Sequence, residues 1–231
     1  MLVIVNSLHK SGSTWFYSFV NNCLVALGHP SAHEACRDLV GLNQWANPGA
    51  LEGENLQGLR RAAETRTFAI KAHSPPNPEL LGELRTGRIS MIFVIRHPAA
   101  IVRSALAFGE QCRAYPALEP DSPYAAIYKP EDTMEHVAPS IDWAVEWLKV
   151  RADCVARYED VFATDESPIH FANCLHSDIH KVSRPIFDRM KPQSIPDIER
   201  RRLRVNLVDR PVLTASIQAA CNEWASSLGY P

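Results

Sequence analysis

Residues 7–15 read Ser-Leu-His-Lys-Ser-Gly-Ser-Thr-Trp and follow the apolar run Leu2–Val5. Beyond them, apolar residues recur at Phe16, Phe19, Val20, Cys23, Leu24 and Leu27. That is the spacing of a helix from Trp15 to Leu27 that buries one face, with Gly28 as its stop. The segment is a strand, a tight loop and a helix N-terminus, with a lysine and small hydroxyl residues in the loop. It suits an anion, because backbone N–H groups and the positive helix end point at one place. The loop lacks the G-x-x-x-x-G-K-S/T spacing of ATP and GTP P-loops, since Lys10 precedes Gly12 instead of following a second glycine.

Outward from this segment, strand and helix patterns alternate. A second strand is predicted at Thr67–Lys71, then the breaker Ser-Pro-Pro-Asn-Pro and a short helix at Glu79–Arg85. Ile89–Ile95 is nearly all apolar, as in a strand buried on both faces of a parallel sheet. It runs into Arg96-His97-Pro98 and a helix from Ala99 to Phe108. Residues 29–66 have no clear period. Residues 109–131 hold four prolines and three tyrosines without a period, which predicts a functional lid. Thr133–Ala152 is the longest helical pattern, with Val137, Ile141, Val145, Trp147 and Leu148 at suitable spacing. Cys154–Tyr158 reads as a short strand, and the last helix spans Pro211–Leu228. The alternation argues for a single α/β domain over residues 1–231: a central parallel β-sheet flanked by α-helices, with right-handed crossovers and a P-loop-like nucleotide-binding architecture.

Composition narrows the function. The chain has 231 residues, enough for one sizeable core, and 24 basic against 26 acidic residues, which is no nucleic-acid signature. Local positive clusters must therefore do any anion binding. No apolar stretch approaches the roughly 18 residues that span a bilayer. Leu2–Val5 is too short for a signal peptide, so a cytoplasmic location is expected. The six cysteines form no C-x-x-C pair and are expected to be reduced thiols. The pairs His29/His33 and His176/His180 have the spacing of one helix face, but no Glu follows the first His of either, and no metal is expected.

Three more segments carry chemistry. Residues 93–104 read Phe-Val-Ile-Arg-His-Pro-Ala-Ala-Ile-Val-Arg-Ser: a buried strand delivers Arg96 to its C-terminal end, where open α/β sheets bind ligands, and Ser104 follows eight residues on. An Arg and a Ser so placed can grip one phosphate. Residues 69–73 read Ala-Ile-Lys-Ala-His, and 157–160 read Arg-Tyr-Glu-Asp. In this order the segments resemble the sulfotransferases that use 3′-phosphoadenosine 5′-phosphosulfate (PAPS), of cytosolic or bacterial type. The resemblance covers Leu2–Leu27, Phe68–His73, Met91–Phe108 and Cys154–Val161, with a family-like Leu-Gly-Tyr ending.

The resemblance implies sulfuryl transfer from PAPS to an acceptor hydroxyl of a small molecule, glycan or lipid, releasing 3′,5′-ADP and needing no metal. It implies that Lys10, Ser11, Gly12, Ser13, Thr14 and Trp15 hold the 5′-phosphosulfate. Arg96 and Ser104 would hold the 3′-phosphate, and His73 would act as general base with Lys71 at the sulfuryl group. Tyr158 would contact the adenine and Trp15 stack on it, although both positions equally suit core aromatics. Phe108, Tyr115, Tyr124 and Tyr128 would help form the acceptor pocket, and His9 and His97 flank the two phosphate segments. The chain lacks the family's C-terminal Arg-Lys-Gly loop and nearby Gly-Asp-Trp; its C-terminal basic cluster is Arg200, Arg201, Arg202 and Arg204. Two rivals differ in what they require. A P-loop nucleotide kinase needs Gly-Lys-Ser/Thr spacing and a magnesium carboxylate, neither of which is evident. A non-catalytic nucleotide-binding homologue predicts damage to Lys10, Lys71 or His73, yet all three are present.

Overall fold

Six consecutive buried residues form β1 (Leu2–Ser7), and the sheet is assembled around them. A computed structural model describes residues 1–37, 41–43, 46–115, 122–190 and 213–231. In it β1 pairs in parallel with β2 (Phe68–Ala72) on one side and with β3 (Ile89–Ile95) on the other. A short β4 (Val155–Arg157) extends β3, giving the order β2-β1-β3-β4. Val5 lies opposite Lys71 and Ile92, and Phe93 opposite Val155.

The helices in chain order are α1 (Ser13–Ala26), a short α2 (Ala32–Ala35), α3 (Gly53–Ala63), α4 (Pro78–Arg85), α5 (Pro98–Ala114), α6 (Pro130–Arg151), α7 (Tyr158–Val161), α8 (Ser167–Leu175), α9 (Ser183–Met190) and α10 (Ala215–Ser227). Helices α1, α3, α4, α6 and α8 pack on the strands, so β1 and β2 are buried along their whole length. The apolar runs Leu2–Val5 and Phe68–Ile70 have that cause. The chain first adds β2 on one side of β1, then crosses over to add β3 and β4 on the other. The crevice between the C-terminal ends of β1 and β3 is therefore a topological switch point, the place where such sheets bind ligands.

The predicted strands lie within two residues of those found, and β3 has the predicted bounds. Helix α1 begins two residues early, at Ser13. Inside the aperiodic 29–66 stretch, α3 buries Leu56, Leu59 and Ala62 on one face, a pattern diluted by its charged remainder. Tyr158 opens α7 instead of closing β4.

The predicted lid needs the largest correction. Residues 109–114 continue α5, Pro123–Ala126 form a 3-10 turn, and α6 starts at Pro130. The returning chain is docked on α5. A Cβ at Gly109 would lie 2.7 Å from the Tyr124 carbonyl oxygen and 2.8 Å from that of Ile127. Arg113 Nη1 donates to the carbonyls of Ala125 and Ile127. A second apolar cluster, including Val102, Phe108, Cys112, Tyr124, Ile127 and Cys221, forms beneath. Residues 116–121 of the expected lid, and 211–212 of the expected last helix, lie outside the described residues. Among the described residues, no helix is long and apolar enough to cross a membrane.

Gly109→Ala must force backbone apart and is expected to cost about 1–3 kcal/mol of stability in urea unfolding. Gly82→Ala, where a Cβ in α4 meets nothing within 4 Å, is expected to be neutral or stabilising, by about 0.5–1 kcal/mol at most.

Candidate active site

The loop leaving β1 is built to present N–H groups. Gly12 caps α1 at φ +76°, no side chain caps the helix, and its first turn holds no acidic residue. The opening N–H groups of α1 thus have no intrahelical acceptor. Ser11 is fully buried, and its Oγ has no hydrogen-bond partner among the described residues. Lys10 sits at φ +63°, a left-handed conformation unusual for a side chain of its kind. Gly12 is needed for space as well as for φ: a Cβ there would lie 2.7 Å from Tyr158 Cε2, whose ring covers the loop.

From β2 come two groups. Lys71 is buried, and its Nζ donates to Thr14 Oγ1 at 3.0 Å, beside the first turn of α1. His73 Nδ1 lies 2.9 Å from the Ser7 carbonyl oxygen and 3.3 Å from Ser7 Oγ. A carbonyl only accepts, so the contact assigns the hydrogen to Nδ1 and makes Nε2 the basic nitrogen. The segment is fixed by Asn6, whose side-chain amide donates to the Ser74 carbonyl while its oxygen accepts from the Ser74 and Ser7 N–H groups. Trp147 Nε1 donates to the same Ser74 carbonyl. Sequence reasoning missed Asn6 and Trp147; the available signal was a polar Asn directly after an apolar strand.

From β3 comes Arg96. Its Nη1 donates to the Lys10 carbonyl at 2.9 Å, and its guanidinium lies 4.2 Å from the Tyr158 ring centroid. The loop after β1, Arg96 and Tyr158 are thereby joined. Ser104 lies on α5, about 9 Å along the axis from Pro98, and has no hydrogen bond to Arg96 among the described residues. Trp15 is only 9% exposed, packs against Phe19, Phe162 and Phe187, and donates from Nε1 to the Met190 carbonyl. Its side chain packs with the core beneath the loop.

On the far side of Lys10 stands an aromatic wall. Lys10 Nζ is 4.0 Å from the Phe108 ring centroid and 5.5 Å from that of Tyr124. Tyr115 is exposed, and Tyr128, 71% exposed, packs under Arg113. His9 stacks on His73 with ring centroids 4.1 Å apart, and His136 of α6 stands 5.9 Å beyond it. Burial, then the nearby His136, Lys71 and Lys10, push the His9 imidazole down to about 4. Burial also lowers His136. His97 is occupied otherwise: its ring packs on Tyr230, whose hydroxyl donates to Glu159, which also accepts the His97 backbone N–H.

No protein-family model and no curated protein sequence matches the chain. The fold, however, has solved counterparts. The structure of mouse sulfotransferase SULT7A1 complexed with PAP superposes with a TM-score of 0.54, covering 100% of this chain and 85% of that one at 13% identity. The chain has the sulfotransferase fold. Two structures of retinol dehydratase are also similar. The one with androsterone and inactive cofactor PAP gives a TM-score of 0.49 at 14% identity, covering 98% of this chain and 80% of that one. The one with retinol and PAP gives 0.48 at 15% identity, covering 99% and 80%.

On this sulfotransferase fold the expected histidine pairs do not share helices. His29 precedes α2, His176 follows α8, and the two face each other instead at 5.6 Å. Among the described residues, no group of three or more His, Cys, Asp or Glu side chains is arranged to hold a metal ion. All six cysteines are free. The basic cluster Arg200, Arg201, Arg202 and Arg204 lies outside the described residues.

His9 makes stability depend on pH. Unfolded, it takes a proton near pH 6.5; folded, only near 4. Between these values the unfolded chain binds more protons, so stability falls as pH drops through that window, by about 3 kcal/mol from this group. Urea unfolding at both ends of the window is expected to show a smaller loss in His9→Phe than in the wild type.

Proposed function

We propose that this chain is a cytoplasmic sulfotransferase, acting as one domain over residues 1–231. It moves a sulfuryl group from PAPS to the hydroxyl of a small molecule, glycan or lipid. The observation that supports this reading most is the meeting of four features at one switch point: the open N-terminus of α1, Lys10, the Lys71/His73 pair and Arg96. The fold shared with SULT7A1, which was crystallised with PAP, agrees with it. The residues present fit an anionic donor, because the uncapped helix end and the buried Ser11 Oγ, without a hydrogen-bond partner among the described residues, offer hydrogen-bond donors.

PAPS supplies the transferable sulfuryl group, whose bridging oxygen leaves with 3′,5′-ADP. The chain supplies position and charge, as in phosphoryl transfer. Backbone N–H groups of residues 11–15, the hydroxyls of Ser13 and Thr14, and Lys10 hold the phosphosulfate end. Trp15 contributes its backbone N–H, and its ring is the stacking partner for the adenine. Arg96 and Ser104 hold the 3′-phosphate, and Tyr158 offers its ring to the adenine. His73 takes the acceptor proton at Nε2, while the Ser7 carbonyl bonded to Nδ1–H stabilises the imidazolium that forms. Lys71 and Lys10 offset negative charge on the sulfuryl oxygens and the leaving oxygen. Phe108 and Tyr124 form the acceptor wall.

By calorimetry, 3′,5′-ADP is expected to bind roughly tenfold or more tightly than 5′-AMP, the worth of a charge-assisted contact to the second phosphate. Arg96→Ala is expected to erase that difference; equal affinity in the wild type would exclude the assignment. His73→Ala, once shown to be folded, is expected to cut turnover about 10²–10⁴-fold while leaving 3′,5′-ADP affinity unchanged.

A further inference from the structure

His73, His9 and His136 stand in a row drawn from three separate elements. His73 follows β2, His9 lies in the loop between β1 and α1, and His136 is on α6. The first two rings are nearly parallel, with centroids 4.1 Å apart and planes at 21°. His136 backs His9 at 5.9 Å and is itself backed by Tyr124 at 5.0 Å. Tyr124 rests on Phe108 at 5.2 Å, so the row ends on a packed wall.

A base must present one defined nitrogen in one direction. Ser7, through its carbonyl and its Oγ, holds one ring atom of His73, and the terminal torsion of histidine is intrinsically broad. The flat contact with His9 restrains the face of that ring. We infer that His9 is a positioning residue for His73: its ring, braced by His136, clamps the face of the His73 imidazole. The clamp holds the Nδ1–H···Ser7 tautomer and keeps Nε2 presented to the acceptor.

The electrostatics agree. The charged and titratable groups facing His9 are Lys10, Lys71, His73 and His136; burial first, then His136, Lys71 and Lys10, keep His9 neutral. When His73 takes a proton it therefore meets a neutral aromatic face, which attracts a cation, instead of a second imidazolium, which would repel it. The role of His73 as base rests on the sulfotransferase reading; the clamp on its tautomer does not.

Nitrogen-15 NMR of histidine-labelled full chain reads the tautomer directly. Above the imidazole titration range, wild type and His9→Phe are expected to show His73 as one Nδ1–H species, and His9→Ala a mixture of tautomers. With PAPS and 4-nitrophenol as probe substrates, His9→Ala is expected to lose about tenfold in kcat with 3′,5′-ADP affinity unchanged, and His9→Phe to restore most of it, since misplacing a reacting group is enough to slow a reaction. If His9→Ala does not fold, His136→Ala, which removes the brace, is expected to give the same mixture. A single, unchanged His73 tautomer in the alanine variants would overturn the inference, as would a His9→Phe variant as impaired as His9→Ala. A wild-type chain that binds 3′,5′-ADP no better than 5′-AMP would instead defeat the sulfotransferase reading, while the NMR comparison still decides the clamp.

Discussion

The parallel pairing of β1 with both β2 and β3 brings Lys10, Lys71, His73 and Arg96 to one edge. Parallel strands end on the same side of a sheet, so segments some sixty and ninety residues apart converge without long excursions. Register matters as much as direction. Val5 faces Lys71, and a slip of one residue would turn Lys71 to the opposite face. The side chain of Asn6 works against such a slip, since its three hydrogen bonds to Ser7 and Ser74 fit only one alignment. A buried amide left unpaired would cost about 1–3 kcal/mol, so the alignment is favoured by polar satisfaction as well as by packing.

On that scaffold each cation meets a neutral group. Lys71 donates to a threonine hydroxyl, Arg96 to a carbonyl and over a tyrosine face, and Lys10 lies against two aromatic rings. Each of these contacts fixes the direction of a positive group at the crevice. The dipole of α1 adds to the same field.

Much of this was legible in sequence, for identifiable reasons. Strand β3 is apolar on both faces and punctuated on both sides, so its bounds could be read directly. Lys71 and His73 two residues apart at a strand end, and Arg96 at another, follow from topology once a parallel sheet is assumed. What could not be read depends on tertiary neighbours. Trp15 belongs to the core because Phe162, Phe187 and the Met190 carbonyl surround it, and none of these is near in sequence. The 109–131 stretch has loop composition, yet Gly109 and Arg113 let it dock on α5. The Asn6 lock and the His9–His136 brace each join three distant segments and leave no local pattern.

Residue 10 carries a conflict that shapes how such a protein can change over generations. At φ +63° a glycine would be more comfortable than a lysine, by roughly 1 kcal/mol or more. Selection for robustness alone would drift toward glycine there and discard the one ammonium group carried by the loop itself. A lysine that persists at this position under mutational pressure is therefore a record of past usefulness, written in the backbone.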